Sequence, residues 1–204
     1  MKAFLLKQTL ATIAVVALLA PAAEAQQTLT WVGTFSGGDG ITYQSPINWD
    51  FFTAPPYAAN SDLVKIGADP GVEIPLAQTA QVSSDLSSTP SPRLVLGEGT
   101  GYSGTLNITS SGSLVITNGI LAGPANLNVG LEGGTGTLNV MSGSLAVGEQ
   151  LSSPTNANSA SSINLSGSAT VTAGSAFLDR NLVISGNSVN FSVTGDAILG
   201  GGGV

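Results

Sequence analysis

Cysteine and histidine are both absent from this 204-residue chain. Charge is scarce as well. Five Lys or Arg and twelve Asp or Glu make up 8% of the residues, about a third of the usual fraction. Without cysteine there is no disulfide framework and no thiolate nucleophile, and without histidine there is neither an imidazole base nor a Cys/His zinc site. Five cations in a chain of net charge −7 do not neutralise a phosphate backbone, which excludes nucleic acid as a partner. The low charge would suit disorder, but 42% hydrophobic residues is too apolar for a solvated coil. The chain therefore folds, with few groups left for chemistry.

What is present begins with an address. Met1 to Ala25 reads MKAFLLKQTLATIAVVALLAPAAEA, with Lys2 and Lys7 ahead of an apolar stretch from Leu10 to Ala20 that only Thr12 interrupts. Pro21 ends that stretch, and Ala23-Glu24-Ala25 is a small-x-small cleavage site. The apolar core is shorter than the roughly 20 residues that span a bilayer, so residues 1–25 read as a cleavable Sec-type signal peptide rather than an anchor. The mature chain is expected to start at Gln26, with Lys65, Arg93 and Arg180 as its only cations, and to contain no membrane-spanning segment. The lack of cysteine suits passage through an oxidising periplasm.

Two composition zones follow. Residues 26–92 hold Trp31, Phe35, Tyr43, Trp49, Phe51, Phe52 and Tyr57 and most of the prolines. They read as an N-terminal cap with the first coils. Residues 93–204 are rich in Gly, Ser and Asn, and they repeat. Leu94-Val95-Leu96-Gly97 returns as Leu127-Asn128-Val129-Gly130, Gly104-Thr105-Leu106-Asn107-Ile108 as Gly136-Thr137-Leu138-Asn139-Val140, and Ser111-Gly112-Ser113-Leu114 as Ser142-Gly143-Ser144-Leu145. The unit is about 32 residues. Weaker echoes begin at Ile163, Leu182 and Ala197, and Leu151 to Ala160 reads as an interrupting loop.

Within each unit, aliphatic residues alternate with small polar ones, which is strand periodicity, and Ser-Gly pairs supply the turns. A multi-strand unit recurring in register predicts an all-β fold, a right-handed parallel β-helix, rather than a sandwich. Stacking then sets Leu over Leu, Asn107 over Asn139, and Ser113 over Ser144.

Thr30-Trp31-Val32-Gly33, Asn48-Trp49, Pro55-Pro56 and Asp62-Leu63-Val64-Lys65-Ile66-Gly67, followed by these repeats, resemble secreted bacterial β-helical repeat proteins. Those include chains with autotransporter-associated strand repeats and chains with a Pro-Glu-Pro sorting tail. The resemblance covers residues 28–200 and implies a surface or secreted protein with adhesive, matrix or structural roles and no catalytic motif. Such proteins usually end in a barrel, sorting helix or docking module. This one stops at Gly203-Val204, so truncation is expected, with self-association through an open solenoid end.

Candidate chemistry is thin. Glu98 and Glu132 stand at nearly matching places in successive units and could stack as a weak cation site, although solvated turn carboxylates are the simpler reading. Glu149, Asp179 and Asp196 complete the acidic groups of the repeats, and Asp179-Arg180 reads as an exposed ion pair. Gly37-Gly38-Asp39-Gly40 reads as a tight turn rather than a calcium loop. Trp31, Trp49 and Tyr57 could stack on a sugar, but plugging the first coil is the stronger expectation. Asn107, Asn164 and Asn190 sit in glycosylation-type tripeptides that carry little weight in a bacterial exported chain.

The sequence thus predicts a non-enzymatic, exported surface, adhesin-like or matrix protein. It is expected at the bacterial outer surface or in the medium, with no catalytic residue, cofactor or metal, and with extracellular glycans or the cell surface as partners. The competing reading is a carbohydrate-binding or polysaccharide-lyase-like protein.

Overall fold

The computed structural model describes residues 27–50, 61–69, 77–117, 126–153, 160–178 and 182–200. The proposed signal segment, Tyr57 and the Asp179-Arg180 pair lie outside them. Within this range the chain is built of strands: β1 (Gln27–Thr30), β2 (Ser61–Ile66), β3 (Ala77–Val82), β4 (Arg93–Glu98), β5 (Ser103–Ile108), β6 (Ser113–Ile116) and β7 (Asn126–Leu131). They continue as β8 (Thr135–Met141), β9 (Ser144–Ser153), β10 (Ala160–Ser166), β11 (Thr170–Leu178), β12 (Leu182–Ser185), β13 (Asn190–Val193) and β14 (Ala197–Leu199). Two single-turn 3₁₀ segments, Gly33–Ser36 and Pro46–Asn48, are the helical elements of the described residues.

Every strand–strand pairing is parallel. The strands fall into a nine-stranded and a five-stranded sheet. In the larger sheet, β9 pairs with β6 through its first half and with β7 through its second, and β11 divides in the same way between β13 and β14. Three ladders result. The first stacks β1, β2, β4, β7 and the second halves of β9 and β11, then β14. The second stacks β3, β5, β8, β10 and β12. The third stacks β6, the first halves of β9 and β11, then β13. From β4 onward the chain visits the three in a fixed order on each pass.

Alternation produces this arrangement. The inward residues of β5 and β8, among them Leu106, Ile108, Leu138 and Val140, are fully buried, while the residues between them face out. Like stacks on like: Leu94 beside Leu127, Leu106 beside Leu138, and Leu114 beside Leu145. The columns merge into one aliphatic core, where each buried Leu or Val contributes about 1.5–3 kcal/mol.

The corner from the first ladder to the second explains one recurrent glycine. Gly67 follows β2, and Gly97 and Gly130 are the next-to-last residues of β4 and β7, with φ of 73, 70 and 80°, a region that β-carbon-bearing residues rarely enter. A Cβ on Gly97 would sit 2.0 Å from the Thr135 carbonyl oxygen. Conformation and space both require glycine there.

The passes shorten along the chain. Leu94 lies beside Leu127 and Leu127 beside Leu151, and further on Ala176 lies beside Ala197. From β4 onward the steps are thus 33, 24, 25 and 21 residues. The connection from β6 to β7 takes residues 117–125, whereas β9 turns from the third ladder into the first at Gly148-Glu149 and β11 does so at Gly174. The loop expected from Leu151 is therefore partly strand. Leu151 is fully buried in β9 and aligned with Leu127. The composition of Leu151-Ser152-Ser153 looks loop-like because Ser152 faces out beside Asn128.

Candidate functional site

The first place to look is the N-terminal end, where the aromatics gather. Trp31 packs edge-on against Trp49 at 5.0 Å and 87°, and Tyr43 against Trp49 at 5.3 Å and 86°. Such pairs add to burial because ring edges meet ring faces. The three rings are 0–1% exposed. The Trp49 indole N–H donates to the Tyr43 carbonyl at 2.9 Å, and the Tyr43 and Ser91 hydroxyls lie 2.8 Å apart. Burial pushes the Tyr43 hydroxyl well above its ordinary pKa. Trp31 and Trp49 thus plug the end of the core and present no ring face to a sugar.

Tyr43, one of the aromatics of residues 26–92, joins the plug although the sequence singles out only Trp31, Trp49 and Tyr57 for it. It reaches the end through the single bridge from Thr42 to Gln81, so no periodic pattern announces it.

Gly37-Gly38-Asp39-Gly40 closes over this plug as a turn. Asp39 Oδ1 accepts from the Ile41 and Thr42 amides, both at 2.9 Å, and from Asn48 Nδ2 at 2.7 Å, while the Thr42 hydroxyl donates to Oδ2. The Thr42 hydroxyl, then Asn48 and the two backbone amides, hold the Asp39 carboxyl well below the usual carboxylate range. Asn48 is fully buried and also accepts from the Gly40 amide at 3.1 Å. Gly38 is required because a Cβ would overlap Asn48 Oδ1 at 1.8 Å. Both carboxylate oxygens serve the turn.

The acidic residues of the repeats are not brought together. Glu98 aligns with Leu131 rather than with Glu132, and its carboxylate pairs with the Lys65 ammonium on the neighbouring strand. Glu132 occupies the next turn in a left-handed conformation, with φ of 52°. The one-residue offset means that the two carboxylates do not stack. Glu149 and Asp196 are exposed at the same corner, between the third and first ladders, but two passes apart with Gly174-Ser175 between them. Among the described residues, no group of three metal-ligating side chains forms.

The outer face of the five-stranded sheet is the most ordered polar surface. Thr79, Thr105, Thr137 and Ser162 form one row across β3, β5, β8 and β10, and Gln81, Asn107, Asn139 and Asn164 form the next. Asn139 Nδ2 donates to Asn107 Oδ1 and Asn164 Nδ2 to Asn139 Oδ1, both at 2.7 Å. On the third ladder the Ser144 hydroxyl donates to Ser113 at 2.8 Å. Asn107 and Asn164, the glycosylation-type asparagines of β5 and β10, are thus tied into a ladder, whereas Asn190 is exposed on β13.

At the far end, Val183, Ile184, Ile198 and Leu199 are 48–61% exposed. Among the described residues, no helix is long and apolar enough to cross a membrane. The chain is thus an all-β protein of stacked parallel strands. No protein-family model, curated protein or solved structure matches it.

Proposed function

We propose that the chain is an exported, non-enzymatic surface, adhesin-like or matrix protein whose strands wind as a right-handed parallel β-helix acting as a stalk or display face. The observation that carries this reading is the fixed order in which successive passes visit three parallel ladders, like residue over like residue. A crossover between parallel strands of one sheet is right-handed in nearly all proteins, which supports the hand. The leader-like pattern of residues 1–25 supports export, and the resemblance to secreted bacterial repeat proteins supports the surface role. The carbohydrate-binding alternative loses Trp31 and Trp49, two of the three aromatics on which it rested, because both rings are buried; the third, Tyr57, lies outside the described residues. The lyase alternative has no facing carboxylate pair in Glu98 and Glu132 to draw on.

The test is fractionation of cells producing the full chain, with N-terminal sequencing of the product. A protein beginning at Gln26, outside the cytoplasm and accessible to added protease, is the expected result. Retention in the cytoplasm with Met1 intact would overturn the reading.

A further inference from the structure

We propose that the outer face of β3, β5, β8 and β10 binds an extended, neutral β-1,4-linked polysaccharide, laid across the strands so that successive sugars meet successive Thr–Asn pairs. The proposal deepens the display-face reading above by naming the face and the chemistry of its ligand.

Charge is the first argument. No ionisable side chain occurs in these four strands, although the whole chain carries −7. A polyanionic glycan would be repelled by the molecule and would find no Lys or Arg here to hold it. A polycation would find no carboxylate on the face. A neutral ligand rich in hydroxyls is the one that matches.

Spacing is the second argument. Neighbouring strands lie about 4.8 Å apart, and outward residues along a strand about 6.6 Å apart. The face therefore repeats the same hydroxyl-and-amide pair at each step: Thr79 with Gln81, Thr105 with Asn107, Thr137 with Asn139, and Ser162 with Asn164. An extended β-1,4-linked chain advances by one sugar over nearly the same distance as one strand. Register between ligand and protein is then kept over several sugars, and individually weak contacts add.

Orientation is the third argument. An asparagine amide has two N–H donors and an oxygen with two lone pairs. The ladder uses one donor each of Asn139 and Asn164 and one acceptor site each of Asn107 and Asn139, and Asn164 Oδ1 also accepts from the Ser162 hydroxyl at 3.2 Å, which fixes the amides and leaves the rest of their capacity for a ligand. Groups already held in place lose less entropy on binding. The threonine γ-methyls in the adjacent row add apolar surface for the sugar's C–H groups.

The experiment is sedimentation of the purified full-length mature protein with microcrystalline cellulose and with chitin, beside soluble polygalacturonate in an electrophoretic shift assay. Binding to a neutral polymer, without a shift in polygalacturonate, is expected. Thr105→Val with Thr137→Val removes two hydroxyls while keeping β-branched side chains, and should weaken binding about tenfold or more. Thr135→Arg, at an exposed position of β8, should also block binding by projecting over the face. Thr170→Val with Thr172→Val, on the third ladder, should leave binding unchanged.

Circular dichroism and the unfolding midpoint separate lost binding from lost fold, and Thr135→Arg decides the matter if the double variant does not fold. Failure of the unmodified protein to sediment with either polymer would overturn the proposal. So would equal binding by folded Thr135→Arg, or preference for the polyanion. An exported protein that ignores both polymers would sink the face and leave the exported-stalk reading intact. A binder retained in the cytoplasm would do the reverse.

Discussion

The first and the last described passes carry the same kind of strand and bury it very differently. At the N-terminal end, Leu29, Val64 and Ile66 are fully buried beneath Trp31, Tyr43 and Trp49. In the final pass, Ile184 aligns with fully buried Leu165 and Leu199 with nearly buried Leu178. Yet Ile184 and Leu199 are 53% and 61% exposed. A strand here does not bury its own side chains. It needs a neighbour above and below, and a pass with one neighbour keeps only part of the gain.

The largest test of that contrast is Trp49→Ala set against Leu199→Ala. Removing the buried indole, with its ring contacts and its bond to the Tyr43 carbonyl, should cost about 3–5 kcal/mol. Truncating the exposed leucine should stay within about 0.5 kcal/mol, as for ordinary surface changes. Urea unfolding followed by circular dichroism measures both, and equal losses would mean that the ends are equivalent.

A middle-sized effect is expected at the corners. Gly97→Ala meets both an unfavourable φ of 70° and the Thr135 carbonyl, and should cost on the order of 1–3 kcal/mol or more. Gly101→Ala has φ of 92° but nothing within 4 Å of the new Cβ, so it should cost less. A smaller loss at Gly97 than at Gly101 would refute the close-packed corner.

The smallest effect concerns pH. The native Asp39 carboxyl titrates below its ordinary value of 3.8, so the folded state binds that proton less readily than the unfolded chain does. Its contribution to stability is therefore complete above the unfolded value and is lost as pH falls below it toward the lower folded pKa. Trp31 and Trp49 are the chain's two tryptophans and both sit at this end, so fluorescence reports the cap. Acidification from pH 5 to 2 should loosen the cap, and Asp39→Asn should flatten the part of that response due to this turn. An unchanged acid profile in the variant would remove Asp39 from the account.

Much of this architecture is legible in the sequence, for a physical reason. Repeat offsets of 33, 32 and 31 between Leu94 and Leu127, Gly104 and Gly136, and Ser113 and Ser144 are the strand registers themselves, because stacking rewards like residues at like positions. The later passes are harder to read. Once β9 and β11 run through their corners without a loop, the spacing falls and the 32-residue period dissolves. Asp39 reads correctly as part of a turn from four residues, since glycine flanks a side chain that bonds its own backbone. Glu132 is the exposed turn carboxylate of the simpler reading, whereas its stacking on Glu98 fails because a one-residue shift, invisible in a low-complexity repeat, decides whether two side chains stack. Tyr43 is hidden because its place depends on a single bridge far along the chain.

The direction of the ladder hydrogen bonds has a mechanical consequence. They run along the stacking direction, so a pull between the two ends loads them lengthwise and separates strands one pass at a time. The last described pass is the shorter one: β12 has four residues where β10 has seven, and β13 and β14, of four and three, together face the nine of β11. Among the described strands, tension would peel this short pass before the longer ones and reach the aromatic plug after them.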